Sequence, residues 1–149
     1  APLWSDRILE EWARAAGRRM GPEAEAAART EAAAMNAAFP LAMIAHWPAH
    51  HDAAGLPDAA DAHVLAAAVA GGADGIVTFN TRDFPLRALG ARGLARLHPD
   101  EFLRLEWRAG GPLDAALRAT GYGAELPRRL KKAGMPRLAK ALRTSAQAE

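Results

Sequence analysis

Residues 58 to 85 read Asp58-Ala-Ala-Asp61-Ala-His63-Val64-Leu65-Ala-Ala-Ala68-Val69-Ala70-Gly71-Gly72-Ala-Asp-Gly75-Ile76-Val77-Thr78-Phe79-Asn80-Thr81-Arg82-Asp83-Phe84-Pro85, and their reading decides the fold. Asp58 is suited to cap a helix whose apolar face is Val64, Leu65, Ala68 and Val69, and the Gly71-Gly72 pair ends it. Ile76, Val77, Thr78 and Phe79 then form a short, β-branched run bounded by Gly75 and Asn80, the signature of a buried strand. Helix, tight turn and short apolar strand make half of a parallel α/β unit.

Upstream, Ser5 is a good N-cap, Trp4 can staple onto Leu9, and Ile8, Leu9, Trp12 and Ala16 line one face of a helix expected to end near Gly17. Pro22 starts a second helix, which runs to about Ala38 before Phe39-Pro40 stops it. Residues 41 to 57 give no clear pattern, with Pro48 interrupting them. Downstream, residues 86 to 89 suggest a short helix, residues 93 to 97 a weak second strand, and residues 99 to 107 a helix beginning at proline. Gly110-Gly111-Pro112 is the best linker candidate. It divides the chain into an α/β domain over residues 1 to 109 and a helical extension over 110 to 149, with helices at 113 to 119 and 137 to 143.

The composition is globular, with 50% hydrophobic and 24% charged residues among 149. The absence of cysteine excludes a disulfide scaffold and a thiolate zinc site, and fits a reducing cytoplasm. The longest apolar run falls far short of the ~20 residues that cross a bilayer, so no membrane association is expected. Net charge is only +2, but its distribution is uneven. From residue 125 to 149, Arg128, Arg129, Lys131, Lys132, Arg137, Lys140 and Arg143 face only the two terminal acids of that span. Such a tail suits phosphates or an acidic partner, and equally suits a solvated helix face.

Two carboxylates stand at the ends of adjacent elements: Asp61 in the first turn of a helix, and Asp83 in the loop leaving the C-terminal end of the next strand. In open parallel sheets ligands bind at that edge. Hard divalent ions such as Mg²⁺ or Mn²⁺ favour carboxylate oxygens and retain waters, so acids converging there would hold metal and leave positions open for a phosphate. Each acid also has a structural reading. Asp61 can simply complement the helix dipole, and Asp83 can cap the turn before Phe84-Pro85. His46 and His50, with Asp52 nearby, have the spacing of a zinc pair on a helix, but Pro48 between them breaks that helix and favours a solvated loop. His63, two residues after Asp61, could face the cleft, but reads more simply as a surface residue. The four tryptophans, Trp4, Trp12, Trp47 and Trp107, read as core or cover.

The pattern D-x-x-V-L-A-A-A followed by I-V-T-x-N-x-x-D-F resembles the second half of PIN domains, in particular the VapC-like toxin ribonucleases. The resemblance spans residues 3 to 107 and is specific between 58 and 85. It implies a three-layer α/β/α domain with a small parallel sheet, and endoribonuclease activity with Mg²⁺ or Mn²⁺. It puts Asp61 and Asp83 on metal-binding positions and Asn80 and Thr78 on polar positions beside them. The family's early-helix glutamate falls on Glu11, at the edge of the apolar face. Glu10 points further away, and an ion pair with Arg7 or Arg14 is the structural reading of Glu11. Arg82 and Arg87 would steer the RNA backbone. An antitoxin protein covering the cleft is the implied partner.

PIN domains open with a strand, L-D-x-N-x-L, that supplies a further aspartate, and this chain begins just before the first helix. The expectation is either a missing N-terminal stretch or a lost strand, leaving a sheet edge that a neighbouring chain would fill in a homodimer. A catalytically incomplete binding module for RNA or protein, and an RNA-processing nuclease of the same fold, are the alternatives to a toxin.

Overall fold

Ser5 opens α1 (Asp6–Met20) by accepting a hydrogen bond from the Ile8 amide at 3.3 Å, and Asp6 places negative charge in the first turn. The helix passes through Gly17, where the sequence suggests a stop, and ends at Gly21, whose φ of 95° suits glycine. Gly17 has a different task. The Glu25 side chain of α2 (Pro22–Ala38) lies against its bare backbone, in space that a β-carbon would need. Arg29 of α2 fastens the pair by bridging Glu10 and Glu25.

The computed structural model describes residues 1–47, 55–110 and 112–146. They fall into two compact units: Ala1–Ile76 with Arg82–Ala95, and Val77–Thr81 with Arg96–Glu149. His50 and Asp52 lie outside the described residues, and His46 is exposed.

The first unit has two apolar clusters. Trp4, Leu9 and Ala42 are buried together, with Ala32, Met35 and Met43 packed around them, so Trp4 and Leu9 meet as the staple requires. The Trp4 indole donates to the Asn36 side chain at 2.7 Å, which satisfies its one polar atom. Its backbone forms an isolated parallel bridge with Met43, using Trp4 N–H to Ala42 O (3.0 Å) and Ile44 N–H to Trp4 O (2.8 Å).

The second cluster follows the decisive stretch of sequence. A short 3₁₀ turn (Ala59–Asp61) leads into α3 (Ala62–Ala70), then β1 (Gly75–Val77), α4 (Leu86–Gly90) and β2 (Ala95–Leu97). Leu65, Ile76, Phe84, Leu89 and Leu94 are buried together, each large aliphatic side chain contributing about 1.5–3 kcal/mol of transfer free energy. β1 and β2 form a small parallel two-stranded sheet. At its start a β-carbon on Gly75 would lie 2.7 Å from the Ala95 carbonyl oxygen, so glycine permits the close pairing. The α/β class holds in this coarse form, with helices predominating. Two details differ from the sequence reading. β1 is shorter than the expected run to Phe79, and Val69 is 53% exposed, because α3 instead buries Ala62, His63, Leu65 and Ala67.

The second unit is helical: α5 (Pro99–Arg108), α6 (Leu113–Ala119), α7 (Leu126–Lys132) and α8 (Pro136–Ala146). Leu130, Leu138 and Ala139 are buried, with Leu103, Trp107, Leu126, Met135 and Leu142 around them. The start of α8 is capped from outside the helix. Asp100, 3% exposed, accepts from the Arg137 amide at 3.0 Å and the Leu138 amide at 2.9 Å. The sequence reading misses α7, where Pro127 stands in the first turn and does not break the helix.

Candidate functional site

Asp58 and Asp61 divide the work at the start of α3. The Asp58 side chain accepts from the Ala60 amide at 2.8 Å and so caps the 3₁₀ turn, whereas Asp61 makes no capping hydrogen bond. Capping therefore leaves the Asp61 carboxyl uncommitted. Asp61 is half-buried, and its pKa is raised above the usual carboxylate value, first by burial, then by the charges of Asp83, Asp58 and Glu11. Burial acts by itself, and the three neighbouring acids add a concentration of negative charge that disfavours a further anion.

Asp83 stands in the turn after β1, half-buried, and the N-cap of α4 is Pro85 rather than this aspartate. Glu11 reaches from α1 to α3. Its Oε1 accepts from Arg7 Nε at 3.1 Å, and its Oε2 lies 3.0 Å from His63 Nε2. With Glu11 ionised, the ring nitrogen is the donor in that pair. Glu10 is directed elsewhere. It pairs with Arg14 and Arg29, and those partners, Arg29 above all, pull its pKa down to about 2.

His63 corrects the surface reading, for its side chain is fully buried. The Trp47 ring lies near it, with centroids 6.1 Å apart. A signal is present in the sequence: His63 is the one polar side chain in Ala62–Ala70, and a polar group in an otherwise apolar helix of a packed domain needs a partner.

Thr78 and Asn80 belong to the second unit by their contacts. The Thr78 amide donates to Leu97 O at 3.0 Å, and the Thr78 hydroxyl accepts from the Asn80 amide at 3.0 Å. Arg96 adds a bond to the Thr81 carbonyl at 2.7 Å, so the loop has a defined course. Asn80, Arg82 and Arg87 are exposed.

Glu11, Asp61 and Asp83 are thus coupled through their charges within the first unit, and Thr78 and Asn80 are bonded to each other in the second. Among the described residues no three His, Asp or Glu side chains stand close enough together to hold a metal ion as they lie. The donor chemistry of the three acids, hard carboxylate oxygens with mutually repelling charge, nevertheless fits a divalent cation of the Mg²⁺ or Mn²⁺ kind.

The PIN-domain family description matches residues 1–82, more than half of the 149. The chain belongs to the PIN-domain family. No curated protein and no solved structure matches it. PIN domains have a nuclease fold, commonly bind RNA and generally use divalent metals. The match ends within the loop that carries Asn80, one residue short of Asp83. Among the described residues no helix is long and apolar enough to cross a membrane.

Proposed function

We propose that this PIN-domain chain is a metal-dependent endoribonuclease, the toxin of a toxin-antitoxin pair, with helices on both faces of its small sheet. The observation that carries the reading is the grouping of Asp61 with Asp83, Asp58 and Glu11, near enough that their charges, after burial, raise the Asp61 pKa. A carboxylate destabilised by its neighbours is relieved by a cation, and clusters of this kind are common at functional sites.

Asp61, Asp83 and Glu11 would hold Mg²⁺ or Mn²⁺, which when bound supplies an activated water and offsets charge on the phosphoryl oxygens. Glu11 takes part by turning from Arg7, while His63 keeps its other oxygen oriented from a fixed, buried position. Asn80 and Thr78 orient substrate or water. Arg82 and Arg87, both exposed, attract the RNA backbone. An antitoxin supplying a basic side chain to these acids is the partner whose charge fits.

One observation favours a second reading, a PIN-like module that binds RNA or a protein without cutting. The acids are coupled by charge but not gathered at ligand distance among the described residues. Structured RNAs incubated with the Mg²⁺- or Mn²⁺-supplemented protein, beside Asp61→Asn, separate the two. Cleavage lost in the variant is expected. Cleavage unchanged by the substitution would sink the site, and cleavage by neither protein would leave the binding module as the better reading.

A further inference from the structure

The helical unit carries a groove that the acids do not explain. It is lined by Glu101, Arg104, Trp107 and Arg108 of α5 and by Arg137, Lys140, Ala141 and Thr144 of α8, with a volume of about 720 Å³. Four cations face one carboxylate. On α5, positions 101, 104 and 108 share a helix face, as do positions 137, 140, 141 and 144 on α8. The groove therefore has a row of positive charge on each wall.

The walls are fixed. Asp100, buried at the base of α5, caps α8 through the Arg137 and Leu138 amides. Glu101 accepts from Arg104 at 2.6 Å and from Arg137 at 3.0 Å, so the single carboxylate ties the two helices' guanidinium groups together. Trp107 packs with Leu103 and Leu126 against the buried core of this unit. Arg108 and Lys140 are exposed.

We propose that this groove binds the phosphodiester backbone of single-stranded RNA, as a non-catalytic surface of the same protein. Charge complementarity calls for a polyanion. Protein docking generally rests on apolar anchors in desolvated pockets, and Trp107 and Ala141 are the only apolar residues among those described along the groove. Paired rows of Arg and Lys instead suit repeating phosphate oxygens, which they contact without reading bases. The choice of RNA among polyanions rests on the ribonuclease reading; the electrostatic argument does not.

The test is fluorescence anisotropy of a labelled oligouridylate with the full chain in EDTA, across a salt series, so that binding is read without cleavage. Wild-type protein should bind with a marked salt dependence. Arg108→Gln combined with Lys140→Gln, which keeps long side chains at two exposed positions, should weaken binding about tenfold at low salt. It should also lower the slope of log affinity against log salt by about 1.4, two contacts at roughly 0.7 each. Circular dichroism should show the variant as helical as wild type. No binding by wild type, or a variant with unchanged affinity and slope, overturns the proposal. So does a polyglutamate peptide that displaces the RNA at equal charge concentration, which would assign the groove to an acidic protein. Loss of cleavage in Asp61→Asn with RNA binding intact in EDTA would keep the two readings apart.

Discussion

Replacing Asp100 with alanine should detach the start of α8 from α5, at a cost that can be worked from the hydrogen bonds. The first four amides of a helix have no partner within it. In α8, Pro136 has no N–H, Arg137 and Leu138 donate to the two Asp100 oxygens, and Ala139 donates to Met135 O at 3.1 Å. Every one is accounted for, two of them by this single buried carboxylate. Hydrogen bonds to a charged group are worth about 1.5–3 kcal/mol each, and loss of an ordinary cap costs about 1 kcal/mol. Water entering the vacated space recovers part of the sum, so Asp100→Ala should cost about 3 kcal/mol. Asp100→Asn keeps the shape and one acceptor, and should cost about half as much. Urea denaturation followed by far-UV circular dichroism measures both. Amide exchange at Arg137 and Leu138 should accelerate ahead of the rest of α8. A loss under about 1 kcal/mol for alanine, or equal losses for alanine and asparagine, would refute the capping argument.

Three further outcomes are expected. Gly75→Ala should destabilise the fold by about 2 kcal/mol, because its β-carbon meets the Ala95 backbone oxygen at 2.7 Å. Gly90→Ala, with nothing within 4 Å, should be neutral or slightly stabilising in the same melts. Asp61 has a raised folded-state pKa, so the folded protein holds that proton more tightly than the unfolded chain. The ionised form then costs stability, fully so above the folded pKa and not at all below the unfolded one. Metal-free Asp61→Asn should therefore melt above wild type at neutral pH, with the gap closing as pH falls to the ordinary carboxylate range. A gap that widens on acidification would contradict the raised pKa. Glu11→Gln should lower cleavage on the order of tenfold to a hundredfold, whereas Glu10→Gln, which loses only exposed ion pairs, should leave the rate unchanged. Equal rates in initial-velocity assays would count against Glu11.

Local signals make much of this fold legible. Ser5, Pro22, Asp58, Gly75 and Pro99 each mark an element boundary through a backbone preference that acts over a few residues, and the structure begins an element at or beside each of them. The features that escape depend on contacts distant in sequence. Gly17 looks like a helix stop, and only the approach of Glu25 shows it to be a crossing point. His63 looks like a surface residue until Glu11, 52 positions away, arrives at its ring. Asp58 and Asp61 are told apart locally: the sequence offers Asp58 as the cap and Asp61 as a first-turn acid, and the hydrogen bonds show Asp58 capping and Asp61 making no cap bond. Helix α7 escapes for a local reason. Pro127 reads as a turn, although proline in a first turn is compatible with a helix.

The way the chain threads its two units has a consequence for synthesis on the ribosome. Residues 77–81 belong with residues 96–149, while residues 82–95 return to the first unit. Chains emerge N-terminus first, and domains generally fold as they emerge. The first unit can close once Ala95 is out, while Phe79 still lacks the His98 ring and the Gly134 backbone that it meets in the finished fold. Val77 and Phe79 remain 46% and 55% exposed in the finished fold, so the wait adds little apolar exposure to the nascent chain.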